Sequence, residues 1–107
     1  MRTRVLAEDP ERVWLAVSGT LGPTTGPRLR QELRARADGK RRAFFLDLTE
    51  LRCGDGLQDD AVRQLFTLGP EARFHLIGAA DEIRTSVAND PRFTFHSTLE
   101  SAWGLWR

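Results

Sequence analysis

The chain has 107 residues, 29% of them charged and 40% in the hydrophobic class, with a formal net charge of +1. That length suits one domain spanning 1–107, and the composition excludes a wholly disordered chain. The near-balance of charge gives no whole-molecule attraction for nucleic acid or an anionic membrane, and no stretch approaches the roughly 20 apolar residues of a spanning helix.

Fifteen of the sixteen basic residues are Arg, with Lys40 the exception, a skew that a GC-rich genome explains as well as any interface does. Cys53 is the single cysteine, so no intramolecular disulfide forms and a reducing compartment is favoured. The opening run meets Glu8 and Asp9 before any apolar core of a signal peptide develops. These features lead to the expectation of a cytoplasmic protein that does not span a membrane.

Thr3 to Ala7 reads as a short strand, and Glu8 to Arg12, with Pro10, as a turn. Val13-Trp14-Leu15-Ala16-Val17 is almost continuously apolar and ends at Ser18-Gly19, the pattern of a strand buried on both faces. The short connection predicts a hairpin. Gly22 to Pro27 is dense in breakers and leads into a helix over Arg28 to Ala37. Its stripe is Leu29, Leu33 and Ala37, and Gly39 is placed to end it.

Ala43 to Leu48 is the strongest buried-strand signal in the chain. Gly54-Asp55-Gly56 then opens a second helix, with Leu57, Ala61, Val62, Leu65 and Phe66 on one face, stopped by Gly69-Pro70. Arg73 to Gly78 predicts a third buried strand, and Ala80 to Asn89 a helix that ends before Asp90-Pro91. Phe93-Thr94-Phe95 fits a short edge strand. Ser97 and Glu100 have capping-box spacing, and the helix they start puts Leu99, Ala102, Trp103 and Trp106 on one face. The order is ββαβαβαβα: an α/β domain with a mixed, mainly parallel sheet of four to five strands and about four helices.

Val17-Ser18-Gly19-Thr20-Leu21 followed by Gly26 to Leu33 resembles the first crossover of the sulfate-transporter and anti-sigma-factor-antagonist (STAS) domains. Phe45 to Leu51 resembles their central strand, and Phe74 to Gly78 and Phe93 to Trp103 also fit. The likeness covers nearly the whole chain and rests on the order of the parts. It departs from the family at two places. Gly22 stands where the family often has Asp after a Gly-x-Leu. In Cys53-Gly54-Asp55-Gly56-Leu57, Asp55 matches the family's Asp but Gly56 occupies the place of the phosphorylated Ser.

The resemblance implies a bacterial signalling protein without enzymatic activity or cofactor, acting in sigma-factor control of transcription. Its partner would be an anti-sigma factor or serine kinase of the GHKL type. Docking is expected on Gly54, Asp55, Gly56, Gln58 and Asp59, with Gly22 and Thr24 alongside. With Gly56 at the acceptor position, no phosphorylation is expected there. The alternative the resemblance offers is an accessory subunit of a membrane-transport, lipid-trafficking ATPase. Whether the domain forms a homodimer is left open.

The remaining chemistry-bearing residues have plainer readings. Asp59 and Asp60 fall in a first helical turn, where carboxylates favour the dipole, and with Asp55 they lack the ligand set of a metal or acid–base site. His75 reads as a satisfied strand histidine and His96 as an exposed one. Cys53 has no neighbouring His base in sequence and reads as a half-buried thiol rather than a nucleophile. The Arg-rich first helix reads as a solvated face, and Trp103 and Trp106 as core.

Overall fold

The computed structural model describes residues 1–37, 42–55, 59–66 and 72–106. Ten elements follow in chain order: β1 (Arg2–Glu8), β2 (Arg12–Leu21), α1 (Gly26–Ala37), β3 (Ala43–Asp47), β4 (Leu51–Cys53), α2 (Asp59–Leu65), β5 (Arg73–Ile77), α3 (Asp81–Ser86), β6 (Phe93–His96) and α4 (Leu99–Trp106). The sheet order is β1-β2-β3-β5-β6, with β4 beside the far end of β2. β1 is antiparallel to β2, as the short turn predicts, and every other pairing is parallel.

Alternation along the strands sorts the core into two layers. Leu15 and Val17 of β2, Phe44 and Leu46 of β3, and Phe74 and Leu76 of β5 join Leu29, Leu33, Val62 and Ile83 from α1, α2 and α3. The intervening residues Trp14, Phe45 and Ile77 face the other way, against Ala102 and Trp106 of α4. Three helices therefore cover one face, while the other receives a single helix.

The aromatic residues bind the layers together. Phe74 stacks between Phe44 and Phe93, with ring centroids 5.4 Å and 4.9 Å apart, and Phe66, which follows α2, meets Phe74 edge-on at 5.4 Å. On the other face Trp14 lies 5.1 Å from Phe45 and 5.7 Å from Trp106. Each buried ring removes a large apolar area from water, worth roughly 2–3 kcal/mol.

The structure adds one strand to the sequence-based order. The chain leaves β3 through an Asx turn in which Asp47 Oδ1 accepts from the Thr49 amide (3.1 Å) and hydroxyl (2.6 Å). It then crosses to β2, where Gly19 pairs with Leu51, Thr20 with Arg52 and Leu21 with Cys53. β2 thus runs ten residues, its first half beside β3 and its last three residues beside β4.

Two helix boundaries also differ from expectation. α3 ends at Ser86 rather than Asn89. Asp90 organises a turn here: its carboxylate accepts the Arg92 amide (3.0 Å) and pairs with the guanidinium at 2.6 Å. α4 is capped by Thr98, whose Oγ1 accepts the Ser101 amide at 3.2 Å, so the cap lies one residue after the expected Ser97.

Candidate functional site

The pairing of β2 with β4 decides what sits beside the Gly54-Asp55 turn. Continuing that ladder, the Gly54 amide donates to the Leu21 carbonyl at 2.8 Å. A Cβ on Gly54 would lie 3.0 Å from Thr20 Cγ2 and 3.3 Å from the Leu21 carbonyl oxygen, so a bare backbone is what lets the two loops approach. Gly54 and Asp55 are thereby brought next to the loop that holds Gly22 and Thr24.

That second loop is tied by Thr25, a residue sequence reasoning passed over in favour of Thr24. Thr25 Oγ1 accepts the Gly22 amide at 2.9 Å and donates to the Thr20 carbonyl at 2.7 Å. The Gly26 amide closes onto the Gly22 carbonyl at 2.8 Å and starts α1. Thr24 is exposed at the tip. Its preference over Thr25 had no local signal; the Ser/Thr–backbone turn pattern that favours Thr25 is weak in sequence.

Asp55 is exposed, and α2 spans Asp59–Leu65. Gly56 and Gln58 lie outside the described residues, and of Asp59 the backbone places it at the start of α2. Asp60 pairs one turn along with Arg63.

Beside the turn opens a cleft of about 470 Å³, between the end of β4 and helices α2 and α3. Cys53, Gly54, Asp55 and Val62 line one side; Asp81, Glu82 and Thr85 of α3 line the other. The α3 residues were missed in the sequence because they are remote from the turn, and acidic residues in a first turn have a sufficient helical explanation. Burial, followed by the nearby Glu82 carboxylate, pushes the Cys53 thiol above its ordinary value. It therefore stays protonated at neutral pH and lacks the depressed pKa of a nucleophile. No group of three or more His, Cys, Asp or Glu side chains is arranged to hold a metal among the described residues.

The histidines form a separate cluster. His96 is buried at 8% exposure, contrary to the expectation of an exposed side chain, because β6 pairs with β5 and α4 closes over it. His75 Nδ1 lies 3.2 Å from His96 Nε2, and His96 Nδ1 lies 3.0 Å from Ser101 Oγ. His75 also stacks on Phe45 at 4.3 Å. Burial lowers both imidazoles below their ordinary value, and for His75 the proximity of His96 adds to this. Trp106 is core as expected, whereas Trp103 and Leu99 stay 45% and 46% exposed. α4 turns only Ala102 and Trp106 fully inward because it is short and docks at one edge of its stripe.

Solved structures match the fold over nearly the whole chain. Unphosphorylated SpoIIAA, an anti-sigma factor antagonist, aligns at 17% identity and a TM-score of 0.65 over 99% of this chain and 96% of its own. The chain has the anti-sigma factor antagonist fold. Phosphorylated SpoIIAA, the Bacillus cell fate determinant, shares that fold with a TM-score of 0.69 at 16% identity, over 99% of this chain and 100% of its own. An anti-sigma factor antagonist from Mycobacterium paratuberculosis shares it at 24% identity and 0.67, over 97% and 93% of the two chains. No family model matches the sequence, and the curated proteins give no significant match. In the antagonist fold as built here, the two loops joined by Gly54 and Leu21 share one end of the sheet, outside the carboxyl ends of parallel strands, where α/β domains bind their ligands. No helix of the described residues is long and apolar enough to cross a membrane.

Proposed function

We propose that this protein is a non-enzymatic binding domain of the anti-sigma-antagonist kind, which docks an anti-sigma factor or kinase of the GHKL type. The docking surface is the pair of loops around Gly54, Asp55, Gly22 and Thr24, continued by Gly56, Gln58 and Asp59. The observation that supports it is the union of the two loops at one sheet end, in a chain whose fold is that of anti-sigma factor antagonists along nearly all its length. Exposed Asp55, beside the hydrogen bond that ties Gly54 to Leu21, presents a negative charge to a partner's cationic side chain.

SpoIIAA exists in phosphorylated and unphosphorylated forms. The acceptor position of the antagonist pattern is Gly56 in this chain, which has no hydroxyl. The proposed domain therefore binds constitutively at this turn, or is controlled elsewhere. Capture of a GHKL-type kinase by the wild-type chain, lost on Asp55→Arg, tests the reading. Capture of a transport ATPase instead would replace it with the accessory-subunit alternative.

A further inference from the structure

The helix α4 is fastened to the sheet at its start, middle and end. At the start, the Ser101 amide donates to Thr98 Oγ1, and the Ser101 hydroxyl lies 3.0 Å from His96 Nδ1. Ala102 and Trp106 then pack on Trp14, Phe45 and Ile77. At the end, the Arg12 guanidinium sits 4.3 Å from the Trp106 ring and donates to the Trp106 carbonyl.

The fastening at the start continues into the sheet. His96 Nε2 lies 3.2 Å from His75 Nδ1, and His75 stacks on Phe45. A neutral imidazole offers one N–H and one lone pair, so the run His75–His96–Ser101 is satisfied with one proton on each ring. One further proton still leaves a lone pair at the 3.2 Å contact, across which an N–H is shared. A second sets two N–H groups head to head there. It also places two positive charges side by side, one on half-buried His75 and one on buried His96. The doubly protonated pair does not fit the docked arrangement.

The surrounding elements do little to offset that charge. On this face β3 carries Asp47, whose carboxylate is engaged by the Thr49 amide and hydroxyl. β5 carries Arg73, a like charge, and β6 adds neutral Thr94. Glu100 of α4 lines the groove beside Leu6 and Trp14, and Asp9 pairs with Arg12 at the far end of the helix. Among the described residues, no carboxylate is bonded to either imidazole.

We propose that His75, His96 and Ser101 form an acid-operated latch, in which protonation of both imidazoles frees the start of α4 while the rest of the domain stays folded. Release of the helix uncovers Trp14 and Phe45. Burial holds both imidazoles below their ordinary value, so docking is favoured above pH 6.5 and loses ground as pH falls from there. The buried layer under α1, α2 and α3 is made of aliphatic and aromatic side chains, which mild acid leaves in place. The latch uses no residue of the Gly54-Asp55 turn, so it stands or falls separately from the docking reading.

Hydrogen exchange of the full chain between pH 7.5 and 5.5 tests it, with rates corrected for those of an unstructured chain. Protection of segment 99–106 is expected to fall about tenfold or more, and that of Ala43–Asp47 and Arg73–Ile77 by less than about threefold. Tryptophan emission should move to longer wavelength over the same range with the far-UV spectrum unchanged, since Trp14, Trp103 and Trp106 all lie at this contact. His96→Gln should hold the protection of α4 within about twofold across the range. Should that variant fail to fold, His75→Gln, at a half-buried position, should limit the fall to about threefold. Protection of α4 that does not change with pH overturns the proposal. So does an equal loss in α4 and the strands, which is global unfolding, or a wild-type fall in the glutamine variants.

Discussion

The amide of Gly54 donates to the carbonyl of Leu21 across 2.8 Å, and this bond joins the turn after β4 to the loop after β2. The contact is the last rung of the β2–β4 ladder, so the geometry of the two loops is inherited from the sheet rather than set by their own side chains. If the two loops form the proposed docking surface, the sheet holds Gly54 and Leu21 in place before a partner arrives, which reduces the ordering cost of binding.

Two glycines of the chain are predicted to differ in what they tolerate. Gly78 sits at φ +65°, and a Cβ there would lie 2.7 Å from Thr49 Oγ1 and 3.2 Å from Thr49 Cα, both held by the Asp47 turn. Gly78→Ala should cost about 1–3 kcal/mol in urea unfolding. At Gly54 the nearest atom, 3.0 Å away, is a methyl of exposed Thr20, which can turn aside. Gly54→Ala should cost less than Gly78→Ala, and its effect should appear in partner binding. Equal losses of stability would contradict this ranking.

Stability should fall on mild acidification because of the histidine pair. The folded-state values of His75 and His96 both lie below 6.5, so the unfolded chain takes up protons first. Their contribution is complete above pH 6.5 and is lost as pH falls from there through the folded values. Asp9 and Asp90, held below 3.8 by hydrogen bonds to Arg12 and Arg92, lose their contribution only in stronger acid. The melting temperature is expected to drop between about pH 7.5 and 5.5, the window around the ordinary imidazole value. A His75→Gln, His96→Gln double variant should melt at a nearly constant temperature across it. An unchanged slope in that variant would assign the effect to other groups.

The sheet was legible where burial was two-sided. Val13 to Val17 is a continuous apolar run, Ala43 to Leu48 and Arg73 to Gly78 are largely apolar, and all three became strands with the predicted parallel order. The three-residue β4 was not legible: Arg52 at its centre is exposed, and the strand exists because the Asp47 turn carries the chain to β2. The same limit applied to the site. The Gly54-Asp55 turn is visible as a breaker cluster, but its proximity to Gly22 follows from that unseen strand. His96 looked exposed because its burial depends on β5 and on α4, neither of which leaves a mark on the local sequence.

The proposed lack of a phospho-switch at Gly56 makes a mass prediction. Incubation with a cognate serine kinase and ATP should leave the segment 54–67 unmodified, since position 56 is glycine and Thr67 carries the single hydroxyl in that stretch. Intact-mass and peptide analysis reads this directly. A stoichiometric phosphate within that segment would restore the switch and contradict constitutive binding.

The proposed docking surface is tested most directly by affinity capture from native extract with wild type and Asp55→Arg side by side, partners being identified by mass spectrometry. Asp55 is exposed, so the substitution should leave the melting transition within about 0.5 kcal/mol of wild type. Recovery of a GHKL-type kinase by wild type and its loss with Asp55→Arg is the predicted result. The same partner captured equally by both forms would show that the Gly54-Asp55 turn is not where it binds.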